Sequence, residues 1–109
     1  MLVNEWVDSC WSVLSVRPKT LHDYKRLYRR HLEPVIGAYE IDAVPPMVLQ
    51  RKLLTLPPQT SRHCLMLVKT IYREAKLYEV CVVNPADGLR TPKVKTIETK
   101  DTKRFIKLE

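Results

Sequence analysis

The stretch TSRHCLMLVKTIYREAKLY, Thr60 to Tyr78, repeats apolar residues at intervals of three and four. Cys64, Leu65, Leu67, Val68, Ile71, Tyr72, Ala75 and Tyr78 share one side of a helical wheel, and Arg62, Met66, Lys69 and Arg73 share the other. That period predicts one long amphipathic helix from about Thr60 to Tyr78, whose apolar stripe must be covered by other elements. The neighbouring sequence offers helices for the task. Upstream, Pro57-Pro58 separates it from a short helix opening at Pro45-Pro46, where proline is tolerated in a first turn. Val48, Leu49, Leu53, Leu54 and Leu56 form the apolar side of that helix, and Ile41 and Val44 read as buried anchors of the loop before it.

Further upstream, Thr20 reads as an N-cap, with Asp23 three residues on resembling a capping box. Leu21, Tyr24, Leu27, Tyr28, His31 and Leu32 make the stripe of this helix, opposite His22, Lys25, Arg26, Arg29 and Arg30. Glu33-Pro34 is expected to end it, because a residue before proline avoids the helical region, leaving Val35-Ile36-Gly37 as a turn. A first helix is expected from about Val3 to Leu14 on the spacing of Val3, Trp6, Val7, Cys10, Trp11 and Leu14, with both tryptophans in the core. Downstream, Asn84 to Leu89 reads as a compact turn, and Val80 to Val83 is the one ambiguous strand-like run. With two glycines and eight prolines punctuating helical periods, the class is all-α.

Composition bounds the function. A chain of 109 residues with 45% hydrophobic and 28% charged residues is one modest globular domain. It has neither an apolar run of membrane-spanning length nor an apolar signal run, so a cytoplasmic location without membrane partners is expected. Cys10, Cys64 and Cys81 lie far apart among apolar residues, and His22, His31 and His63 lack ligand spacing. No metal or other cofactor is expected. The net charge of +7 favours a polyanionic partner. It is unevenly placed: six basic residues and one acid lie between Arg17 and Arg30, and six basic residues and three acids between Thr91 and Glu109.

Three segments carry a family resemblance. TLHDYKRLYRRHLEPVIG (Thr20 to Gly37), IDAVPPMVLQRKL (Ile41 to Leu53) and TSRHCLMLVKTIYREAKLYEVCVVNPADGL (Thr60 to Leu89) resemble, in order and spacing, the core-binding domain of phage-integrase-type tyrosine recombinases. Asn84-Pro85-Ala86 after an Ala-bearing helix is the most specific piece, and Pro45 departs from the Thr or Ser often found there. The resemblance implies a four-helix, SAM-like orthogonal bundle over residues 1–90. Residues 91–109 would form a flexible basic tail, a linker towards a catalytic domain. It implies double-stranded DNA as partner, together with the parent's catalytic domain and other recombinase protomers. The arginines, lysine and histidines that would hold a phosphate for a tyrosine nucleophile belong to that other domain. Tyr24, Tyr28, Tyr72 and Tyr78 fall on apolar helix faces and Tyr39 in a loop, so no catalytic residue is assigned here and the chain itself is not expected to be an enzyme.

The candidate DNA contacts fall in two groups. Lys19, Thr20, Lys25, Arg26, Arg29 and Arg30 form a basic run that would repel itself unless a polyanion lies near. The plainer alternative is a solvated helix face. Gln59, Thr60, Ser61, Arg62 and His63 form the first turn of the long helix, where backbone N–H groups can hold phosphate and short side chains can reach bases. Thr60 or Ser61 could equally serve as its N-cap. Lys69 and Arg73 extend that face. A small helical protein-interaction module is the competing function.

Overall fold

A computed structural model of the chain describes residues 1–92. The expected linker therefore lies outside the described residues apart from Thr91 and Pro92. Four helices account for the described architecture: α1 (Val3–Cys10), α2 (beginning as Pro18–Leu27), α3 (Pro46–Thr55) and α4 (Pro58–Leu77). Among the described residues the only β pairing is an isolated bridge between Leu2 and Glu40. The Val80–Val83 run forms no strand, and Val82 is exposed.

The inner face of α4 organises the core. Cys64, Leu67, Val68, Ile71, Tyr72 and Ala75 are buried together with Val3, Trp6, Val7 and Cys10 of α1 and Leu49 and Leu53 of α3. Three buried polar groups are satisfied across elements, which sets the packing register. The Trp6 indole N–H donates to the Ile71 carbonyl at 3.0 Å, the Tyr72 hydroxyl to the Ile41 carbonyl at 2.9 Å, and the Ser61 hydroxyl to the Leu53 carbonyl at 2.8 Å. Ile41 and Val44 are buried as expected. Two positions expected on inner faces are instead more than half exposed: Leu54 at 55% and Tyr78 at 51%. Each lies at a helix end. The Tyr78 ring still sits 6.3 Å from that of Trp6.

Helix boundaries depart from the expected ones for identifiable reasons. The α1 helix stops at Cys10, and Trp11 to Val13 continue as turns. There the Ser12 hydroxyl donates to the Ser9 carbonyl at 2.7 Å, and Val13 N–H bonds the Cys10 carbonyl in a tightened i→i−3 turn. At its other end, Val3 and Asn4 N–H groups donate to the Tyr39 and Gly37 carbonyls, and Leu2 N–H to Glu5 Oε1. The α2 helix begins at Pro18 rather than Thr20, with no side-chain cap. A proline in the first turn has no N–H to cap and a pre-set φ, so the expected Thr20–Asp23 box is not formed. Likewise α4 starts at Pro58, and neither Thr60 nor Ser61 caps it.

The largest correction concerns Pro34, which does not end α2. The helix passes through a π turn at Tyr28–Leu32 and continues as Glu33–Ile36, counted here with α2. Glu33 N–H bonds the Tyr28 carbonyl, an i→i−5 step. The residue inserted in this way lets Pro34 enter near the start of a fresh turn, where its missing donor leaves no gap. Tyr28, Leu32 and Ile36 then all face the core.

After α4, Asn84 Oδ1 accepts the Ala86 N–H at 2.9 Å, and Gly88 adopts φ +81°, a left-handed conformation suited to glycine. The Gln50 amide then holds both backbone groups of Arg90, at 2.8 and 3.0 Å.

Truncating Ile71 to Ala is expected to lower stability by ~2–5 kcal/mol, read by urea or thermal unfolding. A wild-type midpoint would contradict its place in the core. Gly37→Ala should destabilise by roughly 1–3 kcal/mol, through overpacking. Its new Cβ would lie 2.6 Å from Asn4 Oδ1 and 2.7 Å from the Glu33 carbonyl oxygen. An unchanged melting temperature would show that the α1–Gly37 contact is loose in solution.

Candidate nucleic-acid interface

The middle of α2 and the first turns of α4 line an open groove of about 510 Å³. Arg26, Leu27, Arg30 and His31 line one wall with Asp23, and Pro57, Thr60 and His63 line the other. Two residue groups that are thirty positions apart in sequence thus meet. Thr60 is half-buried at the groove, whereas Arg26, Arg30 and His63 are exposed. The start of α4 carries no side-chain cap, which leaves its early N–H groups directed along the helix axis.

The basic run of α2 is not one face. Lys25 and Arg29 line a separate cleft of about 360 Å³ with Asn4, Asp8, Trp11, Tyr28 and Glu33, where two carboxylates temper their charge. Lys19 is exposed and Thr20 half-buried near the start of the helix, outside both clefts. On α4, Gln59, Arg62, Lys69 and Arg73 are exposed and line neither cleft. Ser61 is the clear exception among the expected contacts. It is fully buried and hydrogen-bonded to the Leu53 carbonyl, so its hydroxyl ties α4 to α3 and does not face a ligand.

Few carboxylates compensate these cations. Among the described residues, the only Lys or Arg side chain within ion-pair distance of a carboxylate is Arg73, 3.8 Å from Glu74. The groove also contains a group that the sequence reading assigned to an apolar stripe. Burial, followed by the charges of Lys52 and Arg30, holds the His31 pKa below the ordinary histidine value. For His31 burial is the larger cause, and the two cations act in the same direction. Its i+1 position after Arg30 was a usable signal, but the π turn that aims it into the groove has no signature in a 3.6-residue period.

Other reactive side chains are turned inward. Burial pushes the Cys10 and Cys64 thiols up to about 11 and raises Cys81 as well, which suits small core hydrophobes. Burial also raises the phenols of Tyr28 and Tyr72 well above the usual tyrosine range, and these donate to Asn4 Oδ1 and the Ile41 carbonyl. Among the described residues no group of three or more His, Cys, Asp or Glu side chains is placed to hold a metal, and no helix is long and apolar enough to cross a membrane.

No curated protein and no solved structure matches the chain. The family described as phage integrase, N-terminal SAM-like domain, matches residues 2–56, which span α1, the whole of α2 and α3. The groove's α2 wall lies inside that match, and its α4 wall follows immediately after. With half of its length matched, the chain belongs to the phage integrase N-terminal SAM-like domain family.

Proposed function

We propose that this domain binds double-stranded DNA at core-type sites for a site-specific tyrosine recombinase, and positions the duplex for the catalytic domain of the parent chain. The arrangement would be the SAM-like orthogonal bundle, and further recombinase protomers would be its partners on DNA. The observation that carries this reading is the groove that brings Arg26 and Arg30 beside Thr60 and His63 in a member of an integrase family. Two arginines across from an uncapped helix start suit a phosphodiester backbone, which draws most of its contacts from such groups. Gln59, Arg62 and His63 are exposed on the adjoining turn of α4, where they could reach base edges in a major groove. Lys69 and Arg73 would extend the contact along the backbone, and Lys19 and Thr20 would flank it at the other end. Lys25 and Arg29 are weaker contributors, because Asp8 and Glu33 share their cleft.

A protein-interaction role has one observation in its favour. Leu77, Tyr78, Val82 and Val83 are exposed close together in sequence at the end of α4, as apolar residues at interfaces often are. They lie at the opposite end of α4 from the groove, so the two readings make separable predictions.

In a mobility-shift titration the isolated domain should bind random duplex with Kd of ~10⁻⁴–10⁻⁶ M at physiological salt, weakening steeply as salt rises. Arg26→Ala and Arg30→Ala should each lower the salt slope by about one, and amide shifts on DNA addition should centre on Arg26–His31 and Gln59–His63. Salt-independent binding, or shifts centred on Leu77–Val83, would favour the protein-interaction reading. The domain alone should form no covalent phosphotyrosyl adduct with supercoiled DNA. Detection of one by denaturing electrophoresis would contradict the assignment of catalysis to another domain.

A further inference from the structure

The groove between α2 and α4 contains a titratable side chain to which the DNA-binding reading gives no role. His31 lies half-buried in its wall, on the π turn. Charged and titratable groups face it from three elements: Asp23, Arg26 and Arg30 from α2, Lys52 from α3 and His63 from α4. With the groove open to water, burial and the cations Lys52 and Arg30 favour the neutral imidazole. An anion lodged between Arg26 and Arg30 reverses that balance, because it offsets the two guanidinium charges and offers an acceptor for an imidazolium N–H. We infer that the groove is a phosphodiester site in which His31 takes up one proton from solvent as the anion enters. The proton stays on the imidazole, and no covalent bond changes. This rests on the DNA-binding reading and adds a regulation to it: affinity rises as pH falls.

The sign follows from linkage. A group whose pKa is higher in the complex than in the free protein draws protons on binding, so the complex is favoured on the acid side of that window. A rise of about one unit on binding corresponds to roughly a tenfold gain in affinity once the free imidazole is also protonated. Asp23, the carboxylate on the same wall, opposes anion entry. The cavity is large enough to admit a phosphate with part of its sugar, and it is open rather than enclosed, so a backbone lying along the surface can present one phosphate to it.

The test is binding of a random-sequence duplex to the whole chain by fluorescence anisotropy at fixed ionic strength, from about pH 8 to pH 5.5, spanning the histidine range. Wild type should tighten about tenfold, and His31→Asn and His31→Gln should each hold that change below about twofold. Circular dichroism of both variants confirms that they fold, and two substitutions guard against the failure of one. His22→Asn, exposed on α2 and lining neither cleft, should keep the pH dependence. Alongside, imidazole resonances of His31 titrated with and without inorganic phosphate should show its pKa raised by the anion. DNA binding that is indifferent to pH, or a pH dependence that survives in both His31 variants, overturns this inference and leaves the DNA-binding reading standing. Absence of DNA binding at every pH overturns both.

Discussion

Pro34 cannot donate a backbone hydrogen bond, and the way α2 accommodates it governs much of the molecule. A regular helix would bring the proline ring against the carbonyl four residues earlier, and ending the helix would leave Ile36 without its place in the core. The π turn at Tyr28–Leu32 resolves the conflict with a single inserted residue. Upstream of it, α2 has no fully buried residue between Pro18 and Leu27. Within the turn Tyr28 and Leu32 are buried, and downstream of it so is Ile36. The turn is therefore the joint between a solvated, basic half of the helix and the half that closes the core. Such turns often occur at functional sites, and this one aims Arg30 and His31 at the start of α4.

The groove and the core are coupled through Ser61 and the close approach around Gly37. Ser61 holds α4 to the Leu53 carbonyl at the end of α3, which fixes the height at which Thr60 and His63 face α2. Gly37 lets α1 approach the end of α2 closely enough for Asn4 to meet its backbone and the Tyr28 hydroxyl. Both contacts lie outside the groove, yet each restrains a wall of it. A basic groove supported in this way presents its charges in one arrangement, so less side-chain ordering remains to oppose binding.

Charge is partitioned more finely than the net value suggests. Arg26 and Arg30 meet one carboxylate in their groove, while Lys25 and Arg29, one residue earlier in each case, share a cleft with two. Adjacent residues on a helix point about 100° apart, so a run of cations divides between whatever neighbours lie on either side. Self-repulsion among six cations is relieved on the α1 side by Asp8 and Glu33 and left standing on the α4 side. The unrelieved side is where an incoming phosphate gains most.

The sequence by itself determined the helical class, the four helices, the inner face of α4 from Cys64 to Ala75, the anchors Ile41 and Val44, and the burial of Trp6. Each follows from hydrophobic period and proline punctuation, which are local and strongly constrained by burial. It also carried the family membership, through the order and spacing of segments between Thr20 and Leu89, of which the two that end at Leu53 fall within the family match. Helix starts at Pro18 and Pro58 and the passage through Pro34 were decided elsewhere, because proline can either open, break or ride within a helix depending on what the next turn buries. Tertiary packing alone decided that Ser61 turns inward, that the α2 cations divide between two clefts, and that His31 joins Arg26, Arg30, Thr60 and His63. Those outcomes depend on contacts between residues thirty positions apart and on a one-residue shift in helical register, neither of which leaves a trace in a local period.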